Sequence, residues 1–122
     1  MSADCVFCRI VRGEIPARKV HEDGEVLVFH DIHPSAPVHL LIIPKAHIAN
    51  LYDVDPAYRP LLGRMLGMAG DLARAAGADD GFRVVVHNGR AGGQEVFHLH
   101  LHVLGGPDRL GSGMPTRPVQ PE

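Results

Sequence analysis

Three histidines stand at every second position in His98-Leu99-His100-Leu101-His102, and Val103-Leu104 continues the apolar run. Successive side chains of a β-strand point to opposite faces, so an extended chain here places the three imidazoles on one face and Leu99, Leu101 and Val103 on the other. The apolar face is bound for a core and the imidazole face for a site. Same-face neighbours lie about 6.6 Å apart along a strand, so two rings can share one ion but three in line cannot easily do so. The row must divide its labour. Just before it, Ala91-Gly92-Gly93-Gln94-Glu95 supplies small residues that let backbone amides approach an anion closely. A lone histidine on a strand reads as a core or surface residue, whereas a one-faced row beside an anion loop reads as a site.

A chain of 122 residues, 45% hydrophobic, fits one domain spanning 1–122 around a single core. Its formal charge of −2 and its lack of Lys/Arg runs leave no electrostatic footprint for polymeric nucleic acid, although a mononucleotide needs only local donors. There is no charged-then-apolar leader and no long apolar run, so the expectation is a cytoplasmic protein without a membrane segment.

Glu25 to His30 and His39 to Ile43 read as strands, joined by a loop from Asp31 to Pro37. Leu62, Met65, Leu66, Ala69, Leu72, Ala73 and Ala76 recur at helical spacing and predict one main helix closed by Gly77. Asp55-Pro56 resembles a helix start, yet Pro60 would lack an amide inside the first turns, so the regular part is expected from near Arg59. Met65 and Met68 belong to its packing. Phe82 to Val86 and Val96 to Leu104 complete the strands. Turn-separated strands around one long helix indicate an α+β fold with an antiparallel sheet. The Pro- and Gly-rich stretch 107–122 predicts an irregular tail.

Cys5-x-x-Cys8 by itself could be a redox pair, an inert pair or half of a metal site. The histidine supply favours metal, because a structural tetrahedral site wants four N/S ligands.

The triad, with Gly93-Gln94-Glu95-Val96-Phe97 before it and Gly105-Gly106 after it, resembles the histidine triad (HIT) superfamily in its Hint-like branch. Three upstream blocks resemble family blocks in family order: Cys5 to Pro16, Phe29 to Pro34, and Pro37 to Ile48. The resemblance implies a meander of about five antiparallel strands with one main helix and one short N-terminal helix, and a homodimer joined into a continuous sheet. It implies a structural Zn²⁺ on Cys5, Cys8, His47 and His98. It implies His100 as nucleophile and His102 as a donor to phosphate oxygens, with His39 near them for proton transfer. Phe7, Ile10, Phe29, His30 and Ile32 fall where relatives line a purine pocket, and Asp31 where a carboxylate meets ribose hydroxyls; a loop-capping Asp is the alternative. Backbone donors near Gly93, Gln94 and Val96 are implied for the phosphoryl oxygens. Glu95 replaces the serine of animal Hint proteins and reads as a general acid for the leaving group or as a solvated loop residue. His87 stands where relatives usually carry a phosphate-contacting asparagine, so either His87 substitutes or Asn88 takes over. His21 and His33 read as surface residues. The activity implied is hydrolysis of the P–N bond of adenosine 5′-phosphoramidates, with acyl-adenylates as further substrates, through AMP on His100. A dinucleoside polyphosphate hydrolase or nucleotidyltransferase, and a nucleotide-sensing interaction module, are the alternatives.

Overall fold

The computed structural model describes residues 5–111; of the tail expected over 107–122, residues 107–111 are outside helix and strand and the rest lies outside the described residues. Helix α1 spans Val6–Val11, strands β1, β2 and β3 span Lys19–Glu22, Val26–His30 and Val38–Pro44, helices α2 and α3 span Arg59–Gly67 and Ala69–Ala75, and strands β4 and β5 span Phe82–Val85 and Leu101–Gly105. The sheet is five-stranded and antiparallel throughout, in the order β1-β2-β3-β5-β4. The last strand therefore inserts between the third and fourth, the one departure from a meander.

Strand period explains the layers. Val26, Val28, Leu40, Ile42, Leu101 and Val103 share one face and pack on Leu61, Met65, Ala69 and Ala73 of the helical layer. Leu27, Phe29, Leu41 and Ile43 share the other face and pack on Phe7 and Ile10 of α1. Every residue of β3 is buried. His102, one pleat from Leu101 and Val103, consequently points to the α1 side, paired in register with Leu41 on one neighbour and Val85 on the other.

Three expectations are corrected. The main helix is two segments: Met68 leaves helical geometry at ψ −6°, although its amide still reaches Arg64 O at 3.1 Å. Gly63, Gly67 and Gly70 weaken helical preference around that point. The start near Arg59 holds, and Asp55 caps a separate 3₁₀ turn, Pro56–Tyr58, by accepting from the Ala57 amide at 2.9 Å. The triad strand begins at Leu101, not Val96. Its partner β3 ends at Pro44, which has no amide to extend a ladder and whose carbonyl is taken by the His98 ring at 2.8 Å. Finally β1 was not anticipated, and His21 within it is half-buried and paired with Asp23 at 2.6 Å, not a free surface residue.

Gly105 closes β5 where space is smallest: a Cβ there would stand 2.6 Å from Ala78 Cβ and 3.4 Å from Gly81 O. Gly105→Ala is expected to cost about 1–3 kcal/mol through overpacking. A lower urea midpoint at unchanged m-value is the expected reading, and an unchanged midpoint would show that the 78–82 segment yields freely.

Candidate active site

The histidine row splits between two sites. His98 is fully buried; its Nε2–H donates to Pro44 O at 2.8 Å, which leaves Nδ1 unprotonated. That nitrogen lies 3.3 Å from Cys5 Sγ, 3.5 Å from Cys8 Sγ and 3.2 Å from His47 Nδ1, and Cys8 Sγ is 3.2 Å from His47 Nδ1. Cys5, as N-cap of α1, also accepts from the Cys8 amide at 3.4 Å. All four ligand atoms lie within 4.8 Å of one another and could bind a metal ion. Burial pushes His98 down to about 4, so its ring stays neutral and able to ligate into the acid range.

His100 and His102 line a neighbouring cleft of about 510 Å³, with Phe7 edge-on to both His98 and His100. Phe7, Ile10 and Phe29 form its apolar side, with Ile32 at the mouth, and Asp31, His39, His87, Gly93, Glu95 and Val96 complete it. Ile15, Pro16, Ala17, Leu41 and Ser35 also line it, none of them singled out as a candidate site residue from the sequence. His33 is exposed at the rim. His30, Asn88 and Gln94 do not reach the cleft. Asn88 instead accepts from the Leu51 amide at 2.8 Å, while His87 lines the cleft. Gln94 is buried and fully bonded, its Oε1 accepting from Gly89 N and Asn50 Nδ2 and its Nε2 donating to Ala49 O and Val96 O.

Hydrogen-bond logic assigns the protons in the cleft. His100 Nδ1 is 2.7 Å from His98 O; a carbonyl only accepts, so Nδ1 carries the proton and Nε2 holds a free lone pair. The Ser35 amide donates to His39 Nδ1 at 2.9 Å, so His39 Nε2 carries the proton and donates to His102 Nδ1 at 2.9 Å. His102 is thereby left with a proton on Nε2. The same Ser35 donor argues against Asp31, His39 and His102 as a second metal cluster, despite their proximity, because the His39 nitrogen that would ligate is protonated. Asp31 Oδ1 accepts from the His33 amide at 2.8 Å, while Oδ2 approaches His39 Nε2 at 3.4 Å. It is a loop cap that also offers an oxygen to the cleft. Among the implied amide donors, Gly93 N and Gln94 N are already bonded to Arg90 O and Gly89 O, at 3.1 and 3.0 Å. Only the Val96 amide has no partner among the described residues.

Burial holds His39 and His100 below the ordinary histidine range, in agreement with these neutral tautomers. It pushes His102 to about 4, helped by neighbouring His100, His39 and His87.

A five-stranded antiparallel sheet that splits a histidine row between a Cys/His cluster and a cleft defines the class. Residues 12–109 match the HIT domain family, and the chain belongs to it. It is 50% identical over 104 residues to Protein HitA of Neisseria gonorrhoeae, covering 85% of this chain and 97% of that protein. It is 44% identical over 107 residues to the purine nucleoside phosphoramidase of Escherichia coli strain K12, covering 87% and 90%. Among solved structures, the HIT family hydrolase from Legionella pneumophila Philadelphia 1 superposes with a TM-score of 0.81 at 48% identity, covering 95% of this chain and all of that one (100%). Among the described residues no helix is long and apolar enough to cross a membrane.

An unfolded histidine titrates near 6.5, about where free imidazole does, while His102 in the fold holds out to about 4. Between these values the unfolded chain binds a proton that the native protein refuses, so stability falls as pH falls from 6.5 to 4. Denaturant titrations across that window should show a shallower loss in His102→Asn than in the parent. Equal slopes would contradict the neutral, buried His102.

Proposed function

We propose that the protein is a purine nucleoside phosphoramidase, hydrolysing the P–N bond of adenosine 5′-phosphoramidates, and acyl-adenylates more broadly, through a covalent nucleotidyl-His100. The observation that carries this reading is the His100 tautomer. A bare Nε2 at the floor of a half-apolar cleft is a nucleophile already in its reactive form. Support for the substrate class comes from the 44% identical relative of that name.

In this reading Phe7, Ile10, Phe29 and Ile32 hold the purine and Asp31 Oδ2 accepts from the ribose. His102 Nε2–H and the Val96 amide donate to phosphoryl oxygens as charge builds there, and His39 positions His102 by fixing its proton. His100 Nε2 bonds to phosphorus, the P–N bond of the substrate breaks, and the departing nitrogen takes a proton from Glu95. Water then releases the nucleotide. His30, Gln94 and Asn88 shape the cleft without touching the substrate.

The Cys/His cluster fits zinc. Bond lengths of about 2.05 Å to nitrogen and 2.3 Å to sulfur give tetrahedral edges of about 3.3 Å between nitrogens and about 3.5 Å between nitrogen and sulfur. The observed separations are 3.2 Å and 3.2–3.5 Å. With four protein ligands such an ion braces the fold and supplies no water to the reaction. We further propose a homodimer, using an edge of the sheet, in the cytoplasm, where the thiols stay reduced.

Two experiments test this. Rapid quench followed by mass spectrometry should find an acid-labile AMP adduct on the His100 peptide, and His100→Ala should abolish turnover while AMP still binds. His102→Ala should lose roughly 2–4 kcal/mol of transition-state stabilisation. Appreciable turnover in His100→Ala without any adduct would sink the mechanism. Metal analysis of tag-free protein should find one zinc per chain, and His47→Ala should lower thermal stability more than it lowers kcat. Full stability without metal would refute the brace.

A further inference from the structure

A second imidazole in the cleft is in the same chemical state as the nucleophile. His87 Nδ1 lies 3.0 Å from Gly92 O, so it carries the proton and Nε2 keeps its lone pair. No described residue bonds that Nε2. The ring stands edge-on to His102 with centroids 5.3 Å apart, and His102 is in turn 4.9 Å from His100. The carbonyl that holds His87 sits in a turn only glycine can close: a Cβ on Gly92 would come within 2.3 Å of Asn88 O. His39 Nδ1 is occupied by the Ser35 amide, His102 Nδ1 by His39 and Asp31 Oδ1 by the His33 amide, and Asp31 Oδ2 is assigned above to the ribose. In the reading above the first half-reaction uses Glu95 as an acid, and the second needs a base for its water.

We propose that His87 is the general base of the second half-reaction, taking a proton from the water that hydrolyses nucleotidyl-His100; this rests on the covalent reading above. The water oxygen bonds to phosphorus as the bond from phosphorus to His100 Nε2 breaks, and that electron pair returns to the ring. One water proton passes to His87 Nε2 and the other stays on the nucleoside monophosphate. His87 then gives its proton to solvent and the Glu95 carboxylate, which lost one to the amine, takes one up, so both residues regain their starting states.

The test uses His87→Asn in the full chain, because the asparagine amide can still donate to Gly92 O while the bare ring nitrogen is gone. With an adenosine 5′-phosphoramidate of an aromatic amine, this variant is expected to release one equivalent of amine per site in a burst. Slow turnover should follow, with kcat down about 100-fold and AMP-His100 accumulating. Its kcat/KM, which reports the first half-reaction, should stay within about threefold of the parent. Glu95→Gln should show the opposite split, with kcat/KM lowered and no accumulated adduct. If kcat and kcat/KM fall together in His87→Asn, or if its adduct decays at the parent rate, His87 is not the base. Stereochemistry at phosphorus in the parent enzyme separates the two claims: retention is expected of two displacements, and inversion would overturn the covalent reading itself.

Discussion

His98 is bonded through both ring nitrogens and through its carbonyl, and the site depends on all three. Nε2–H holds Pro44 O, Nδ1 joins the Cys5, Cys8 and His47 cluster, and the carbonyl fixes the proton of His100. Helix α1, the end of β3 and the segment entering β5 therefore meet at one residue. His100 inherits its tautomer from the carbonyl of His98, whose ring sits in the Cys/His cluster. Cluster and cleft are adjacent in sequence because His98 serves both.

The cleft shows how identical side chains acquire distinct roles. His87 and His100 each meet a backbone carbonyl through Nδ1, His39 Nδ1 meets a backbone amide, and His102 takes its proton position from His39. A single amide, from Ser35, decides two rings in series. Burial keeps His39, His100 and His102 neutral, and for His102 the assignment persists down to about 4.

Much of this was legible in the chain. The alternation in 98–104 located the site, and the apolar stripe of 59–76 located the helical layer. What escaped had no side-chain signal. The edge strand Lys19–Glu22 carries one apolar residue among charged ones, and its existence depends on pairing with β2. The late start of β5 follows from a proline on a different strand. The division of the row, with His98 in the Cys/His cluster and His100 and His102 in the cleft, agrees with the expectation. Ser35 acts through its amide, a group every residue but proline possesses, and Gln94 looks like a ligand-facing glutamine until its four bonds are counted.

Those four bonds change the thermodynamics of substrate capture. The 87–97 segment lacks helix and strand, and by composition it resembles a loop that would order only on binding. Gln94 instead ties it to Ala49 and Asn50, beside the His47 ligand, and leaves none of its own amide atoms for the ligand. The ordering entropy of that glycine-rich stretch is thus met during folding and not at each encounter with substrate. Binding energy that a mobile loop would consume in becoming ordered stays available to whatever the cleft binds.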